Sequence, residues 1–341
     1  MFRLAKLLYR YPFDWFEGWA MSAADKVVAN SRFTRGVVNE VFGSGKLGDV
    51  SVVYPCVDTK PKPAGLVVEG GDNGEKLWGG KKILLSINRF ERKKDMALAI
   101  RAYHGLGAEK RKGSRLVIAG ECIFCAQVSV WLLMIDRIGG YDNRVQENVQ
   151  YHRELDDLAT SLGLQTATSK TVISALSIPD SIDVLFLLSV PSAFRDTLLA
   201  QSKLLLYTPI NEHFGIVPVE AMHAGLPVLA SNTGGPLETI VEGETGWLRD
   251  AQIVSDWIAV MDKVLFETGD DEIARMAASG KSRVQKEFSL TAMSDRLEEE
   301  ISRMLQNERR PFNGVQQMIA LFALSGIVLA VAAAFALKMV W

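Results

Sequence analysis

The sequence predicts an α/β protein built on a parallel sheet. Short apolar runs at 83–88, 116–120, 184–190 and 204–207 have the length of buried strands, and stretches with helical periodicity separate them. Parallel strands are covered by helices on both faces and therefore read as continuous apolar runs. This alternation of strands and helices indicates a parallel sheet.

The chain opens with a segment that mixes basic and apolar residues. In residues 2–19, leucine, phenylalanine and tryptophan stand among Arg3, Lys6 and Arg10, a composition typical of a helix in a membrane interface. The same pattern fits a helix packed on its own domain. The rest of residues 1–57 is predicted to form a strand, a helix and a second strand, with Ser31 as the helix N-cap.

The glycine pattern at 43–48 spells G-x-G-x-x-G. It follows a predicted helix and precedes a predicted strand, which is the reverse of what a dinucleotide-binding turn requires. Residues 58–80, rich in lysine, proline and glycine, are predicted to be a linker. A new domain is predicted over residues 81–306.

A basic turn follows the first strand of that domain. Arg89 and Lys94 lie in residues 89–95, ahead of a helix that we expect to reach residue 106. Cations at a strand-to-helix turn suit a diphosphate, although an exposed basic loop has the same appearance.

The second half of this domain contains a pair of carboxylates. Glu212 lies in the loop after the strand 204–207, and Glu220 is expected about two turns into the next helix. Both can face the crevice at the carboxyl ends of the strands, where open α/β sheets bind ligands. Carboxylates accept hydrogen bonds from sugar hydroxyls, and Gly215 at the helix start allows backbone amides to approach a ligand.

Several further elements complete the prediction. A helix is expected over 141–164, another after Pro191, a turn at Gly234 and Gly235, and helices at 253–266, 270–288 and 291–306. Cys122 and Cys125 have metal-site spacing, but the sequence offers no second ligand pair, so no metal is predicted.

The C-terminal stretch 318–337 is uncharged and has the length of a transmembrane helix. Arginines precede it, which places the globular part on the cytosolic side; a buried core helix is the alternative. The 38 basic against 40 acidic residues give no case for a nucleic-acid partner.

Three motifs carry a family resemblance. Residues 211–225 read NEHFGIVPVEAMHAG, residues 231–238 read SNTGGPLE and residues 243–248 read GETGWL. They resemble the donor-binding half of glycosyltransferase family 4, retaining enzymes of the GT-B fold, over most of residues 20–305. Within that family the likeness is to mannosyltransferases of the dolichol pathway.

The resemblance implies roles for individual residues. Arg89 and Lys94 would hold the nucleotide diphosphate and stabilise it as leaving group. Glu212, with Phe214 and Gly215, would hold the mannose, and Glu220 would bind the ribose. The remaining donor-site positions implied are His213, Ile216, Gly234 and Gly235; His213 fits a turn residue without chemistry equally well.

The resemblance also implies substrates and partners. The donor would be GDP-mannose, the acceptor a dolichol-diphosphate-linked oligosaccharide, and the location the endoplasmic reticulum membrane. Other mannosyltransferases of early N-glycan assembly are implied partners, and no metal or other cofactor is implied. The alternative is a membrane-anchored nucleotide-sugar-binding or scaffold protein without turnover.

The sequence departs from the family at two places. Residues 121–139 interrupt a strand-to-turn joint, and we interpret them as a retained intron or a loop insertion. We expect residues 1–57 to be only a remnant of the N-terminal acceptor domain that the resemblance implies, because they are too few to build a βαβαβ half, in which a single βαβ unit already takes about 30 residues. We therefore expect the 341 residues alone to bind GDP-mannose weakly and to transfer no mannose.

Overall fold

The computed structural model describes residues 16–43, 47–60, 76–121, 141 and 143–306. It divides into two compact units. The larger runs from Tyr54 to Ser294, and the smaller contains the described residues up to Val53 and from Asp295 onward.

The larger unit is built on a seven-stranded sheet in which every neighbouring pair is parallel, as predicted. The strands, in chain order, are β3 (Lys82–Ile87), β4 (Ser114–Glu121), β5 (Thr166–Ser169), β6 (Val184–Val190), β7 (Ser202–Tyr207), β8 (Val228–Ser231) and β9 (Gly246–Arg249). Their order across the sheet is β5-β6-β4-β3-β7-β8-β9. The central strands β3, β4 and β7 are buried over residues 83–87, 114–120 and 204–207 because helices cover both faces.

The α-helices of this unit are α3 (Met96–Gly105), α4 (Ala108–Arg111), α5 (Gln146–Ser161), α6 (Val172–Leu176), α7 (Ser192–Gln201), α8 (Ile216–Ala224), α9 (Pro236–Thr239), α10 (Val254–Asp262), α11 (Asp270–Glu287) and the start of α12 (Leu290–Gln306). One sheet face packs with α7 and α8 in a first hydrophobic cluster. The other face packs with α3, α5 and α10 in a second cluster. Burial of both faces supplies the main stabilisation of the sheet.

The smaller unit contains a helix α1 over residues 16–22, the two-stranded parallel pair β1 (Val28–Ala29) and β2 (Ser51–Val52), and α2 (Arg32–Phe42). Ser31 caps α2, because its hydroxyl accepts the Thr34 N–H at 2.9 Å. This confirms the predicted cap. The glycine pattern lies between α2 and β2, so the helix comes before the strand, as predicted.

The structure corrects several sequence predictions. Strands β5 and β9 and the short helix α6 were not predicted. The helix predicted over 141–164 is α5, Gln146–Ser161, and the one predicted over 253–266 ends as an α-helix at Asp262 and continues as a π-helix, Lys263–Glu267. Glu220 is the fifth residue of α8 and so lies in its second turn, nearer the helix start than predicted.

Some predictions fall outside the described residues. These are the N-terminal segment up to residue 15, linker residues 61–75, Cys122 and Cys125 with the rest of the insertion, and the apolar stretch 318–337. Within the described ranges, no helix is both long and apolar enough to cross a membrane.

Candidate nucleotide-sugar site

The predicted site residues lie on loops at one edge of the sheet. Strands β3, β7 and β8 are neighbours, and their carboxyl ends lead into the loops that carry Lys94, Glu212 and Gly234. Loops after adjacent parallel strands meet at the same edge, which is where open α/β sheets bind ligands.

Lys94 and Glu212, separated by 118 positions in the chain, form an ion pair between Nζ and Oε2. Lys94 is buried at 8% exposure and Glu212 is partly exposed. The Lys94 carbonyl accepts the hydroxyl of Thr208 at 2.7 Å, which fastens the β3 loop to the end of β7. Lys94 and Glu212, two of the three residues predicted to act in catalysis together with Arg89, are therefore held in place by the protein itself.

Asp95 turns the chain from the basic loop into α3. It adopts a left-handed backbone with φ of 42°, which is uncommon for a residue other than glycine. Burial raises the pKa of its carboxyl, and the Arg101 guanidinium and the Leu98 N–H oppose that shift. This turn sets the position of Lys94 immediately before it.

Arg89 lies in the same loop but has a different partner. Its Nη1 is 3.1 Å from Glu91 Oε1, and Lys93 reaches Oε2 of the same carboxylate at 2.9 Å. Arg89 remains about one third exposed. The loop thus presents more positive charge than Glu91 neutralises, consistent with an anion-binding turn.

Gly234 and Gly235 pack directly against the loop that carries Glu212. The Gly235 N–H donates to the Glu212 carbonyl at 2.7 Å. A Cβ on Gly235 would lie 2.2 Å from the Phe214 carbonyl oxygen, and one on Gly234, whose φ is +67°, would lie 2.5 Å from that of Glu212. Gly234 and Gly235 were predicted as donor-site positions, but the Gly235 N–H is already donated within the protein.

The residues after Glu212 differ in where their side chains lie. Phe214 is buried, with its ring 5.8 Å from Tyr54 and 5.7 Å from Phe288, whereas His213 is exposed. Any contact of Phe214 with a donor therefore falls to its backbone. Gly215 has φ of 79° and begins α8, with half-buried Ile216 as the first helical residue.

Glu220 is paired with a residue that the sequence did not single out. Arg195 Nη2, on α7, lies 3.1 Å from Glu220 Oε1, and each side chain is about one fifth exposed. A lone arginine in a helix is usually a solvated surface residue, so no sequence signal distinguished it. Among the residues that the structure describes, no cluster of three or more His, Cys, Asp or Glu side chains could hold a metal ion.

The open parallel sheet with a loop site at its carboxyl edge has the GT-B-like α/β fold of glycosyltransferases. The solved structures with a similar fold include HepE of Anabaena in complex with UDP and glucose, at 20% identity over 82% of this chain and 63% of that one, with a TM-score of 0.60. Sucrose-phosphate synthase of Thermosynechococcus elongatus also has a TM-score of 0.60, at 18% identity over 85% and 60% of the two chains.

Residues 72–283 match the model of the family described as glycosyl transferases group 1, and the chain belongs to that family. Among curated proteins it is similar to the alpha-1,3/1,6-mannosyltransferase of Neurospora crassa, at 46% identity over 96% of this chain and 66% of the relative. The Schizosaccharomyces pombe and Saccharomyces cerevisiae proteins of that name are 39% and 38% identical, over 94% and 90% of this chain. The chain spans 60% and 59% of those two relatives.

Proposed function

We propose that this chain is the donor-binding part of an α-1,3/1,6-mannosyltransferase. The enzyme takes mannose from GDP-mannose, with retention, and transfers it to a dolichol-diphosphate-linked oligosaccharide in N-glycan precursor assembly. The observation that carries this proposal is the 46% identity to the Neurospora crassa mannosyltransferase over 96% of the chain.

The geometry of the loop site supports the proposal. Lys94 and Arg89 supply positive charge for a departing diphosphate, and fixed charges at a site of developing negative charge lower the barrier without reorganisation. Glu212 supplies carboxylate oxygens for the sugar hydroxyls. The α8 N-terminus, which begins after Gly215 beside the same loop, favours an anion through the positive end of its helix dipole.

We place the enzyme on the cytosolic side of the endoplasmic reticulum membrane. The support is the uncharged stretch 318–337, preceded by Arg303, Arg309 and Arg310. A membrane location suits an acceptor that is itself a lipid, and neighbouring mannosyltransferases of early N-glycan assembly are then natural partners.

Donor binding tests the proposal on the 341-residue chain. We expect calorimetry in detergent to detect weak binding of GDP-mannose, with weaker binding of UDP-glucose and GDP-fucose. Lys110→Met, which removes an exposed ion pair to Asp262, is the matched control and should bind like the wild type. Equal or tighter binding of UDP-glucose would contradict the proposed donor.

Transfer is tested with a chimera in which the Neurospora crassa relative supplies the part that this chain does not match. We expect that chimera to move labelled mannose onto a dolichol-diphosphate-linked acceptor and Glu212→Ala in it to be inactive. A folded chimera that binds GDP-mannose but makes no mannosylated lipid would refute the activity while leaving the donor assignment standing.

A further inference from the structure

The ion pair between Arg195 and Glu220 joins the two helices that flank β7. Arg195 is the fourth residue of α7, which leads into β7, and Glu220 is the fifth residue of α8, which follows the site loop. The two helices pack together on one face of the sheet. The pair is therefore built into the packing of the helix that carries the second carboxylate.

The pairing constrains the Glu220 carboxylate. Arg195 Nη2 lies 3.1 Å from Glu220 Oε1, and the side chains of Arg195 and Glu220 are only 18% and 21% exposed. At that burial, water screens the charges less than it does at an open surface. A planar guanidinium also fixes the plane of a carboxylate more firmly than a flexible ammonium group does.

This contact leaves Glu220 able to bind a ligand. An ionised carboxylate has about four lone-pair sites, and a guanidinium contact at Oε1 uses only part of that capacity. The constraint also lowers the cost of ordering the side chain when hydroxyl groups bind, because the rotamer is already selected.

We propose that Arg195 is a positioning residue that holds the Glu220 carboxylate oriented for the ribose hydroxyls of the donor nucleotide. The inference rests on the proposed function, since it concerns the same nucleotide site. Arg195 acts through Glu220 and need not touch the donor. Its removal should therefore change the recognition of the ribose and leave the diphosphate contacts unchanged.

The test compares two nucleotides that differ only in the ribose hydroxyls, GDP and 2′,3′-dideoxy-GDP, by calorimetry on the 341-residue chain. A hydrogen bond to a charged group contributes at least about 1.5 kcal/mol, which corresponds to about tenfold in affinity. We therefore expect the wild type to bind GDP about tenfold more tightly than 2′,3′-dideoxy-GDP. Arg195→Met should lose about tenfold in GDP affinity and nothing in dideoxy-GDP affinity. Glu220→Gln should do the same, and the double variant should be no weaker than Glu220→Gln alone.

Two further variants separate positioning from a purely structural role. Arg195→Lys keeps the charge and should recover part of the GDP preference. Lys110→Met breaks a different ion pair between helices, that of α4 with α10, and should bind both nucleotides as the wild type does. Urea unfolding of each variant checks that the fold is retained.

The outcomes are distinct. Equal weakening of both nucleotides by Arg195→Met, or a wild type that binds the two equally, overturns the positioning role while the proposed function stands. A wild type that binds neither GDP nor GDP-mannose overturns the proposed donor site and the inference with it.

Discussion

Substituting Gly235 by alanine should displace the loop that carries Glu212. Gly235 has φ of −59° and ψ of −35°, a backbone conformation that alanine adopts freely, so the backbone conformation does not oppose the substitution. The added Cβ, however, would lie 2.2 Å from the carbonyl oxygen of Phe214 and 2.4 Å from its carbonyl carbon and its Cα. These are backbone atoms, which cannot rotate out of the way as a side chain would.

The size of the effect follows from those distances. Ordinary contact for a Cβ begins at 3.4 Å, so one of the two loops must move by about 1 Å. Inserting a methyl group into a packed site costs about 1–3 kcal/mol, whereas an unopposed glycine-to-alanine change would stabilise by about 0.4–1 kcal/mol. A shift of about 1 Å at a reacting centre costs about 100-fold in rate.

Urea unfolding and GDP-mannose binding measure the two effects on the same variant. We expect Gly235→Ala to lower the free energy of unfolding by about 1–3 kcal/mol and to abolish measurable donor binding. Gly36→Ala is the matched control, because Gly36 is helical and its added Cβ would meet nothing within 4 Å. If Gly235→Ala were as stable as the wild type and bound GDP-mannose equally well, that result would contradict our inference that Gly235 packs too tightly against the Glu212 loop to accept a Cβ.

Three further substitutions test other parts of the structure. Glu212→Ala should abolish mannose transfer by the chimera, and because it leaves the buried Lys94 ammonium without its carboxylate it should also lower the free energy of unfolding; near-native transfer would refute its role. Lys94→Ala should impair GDP-mannose use far more than acceptor binding, and equal loss of both would indicate misfolding. Burial lowers the pKa of His152 below 6.5, so the unfolded chain takes up that proton first and stability falls as the pH drops below about 6.5. His152→Phe should flatten this decline in urea unfolding at a series of pH values, and an unchanged slope would contradict the assignment.

The strands of the sheet could be predicted because burial leaves a direct mark on the sequence. Residues 184–190 are apolar at nearly every position, and the structure has a strand at those residues. Strand β5, Thr166–Ser169, was missed because it is at the sheet edge and its residues are small and polar. An edge strand is paired on one side only, so its sequence carries less of the apolar signal.

The site could be predicted in part for a similar reason. Glu212 lies beside Phe214 and Gly215 in a recognisable motif, and Lys94 lies in a basic run directly after a predicted strand, so each pattern identifies its own loop. Contacts between distant parts of the chain carry no such local signal, so the Lys94–Glu212 and Arg195–Glu220 pairs emerged only from the fold. The burial of the Phe214 ring was missed because it depends on Tyr54 and Phe288, which are far from it in sequence.

The Lys94–Glu212 pair bears on how the two halves of a donor would be bound together. Lys94 is proposed to hold the diphosphate and Glu212 the mannose, yet the two side chains contact each other. An ammonium group has three N–H donors and a carboxylate about four acceptor sites, so the pair can persist while each member binds its own part of the donor. The ion pair then fixes the distance between the diphosphate and sugar positions before the donor arrives, and such preorganisation saves ordering cost on binding. It follows that Glu212→Ala and Lys94→Ala should not be additive in their effects on donor binding, because each removes the same constraint as well as its own contact.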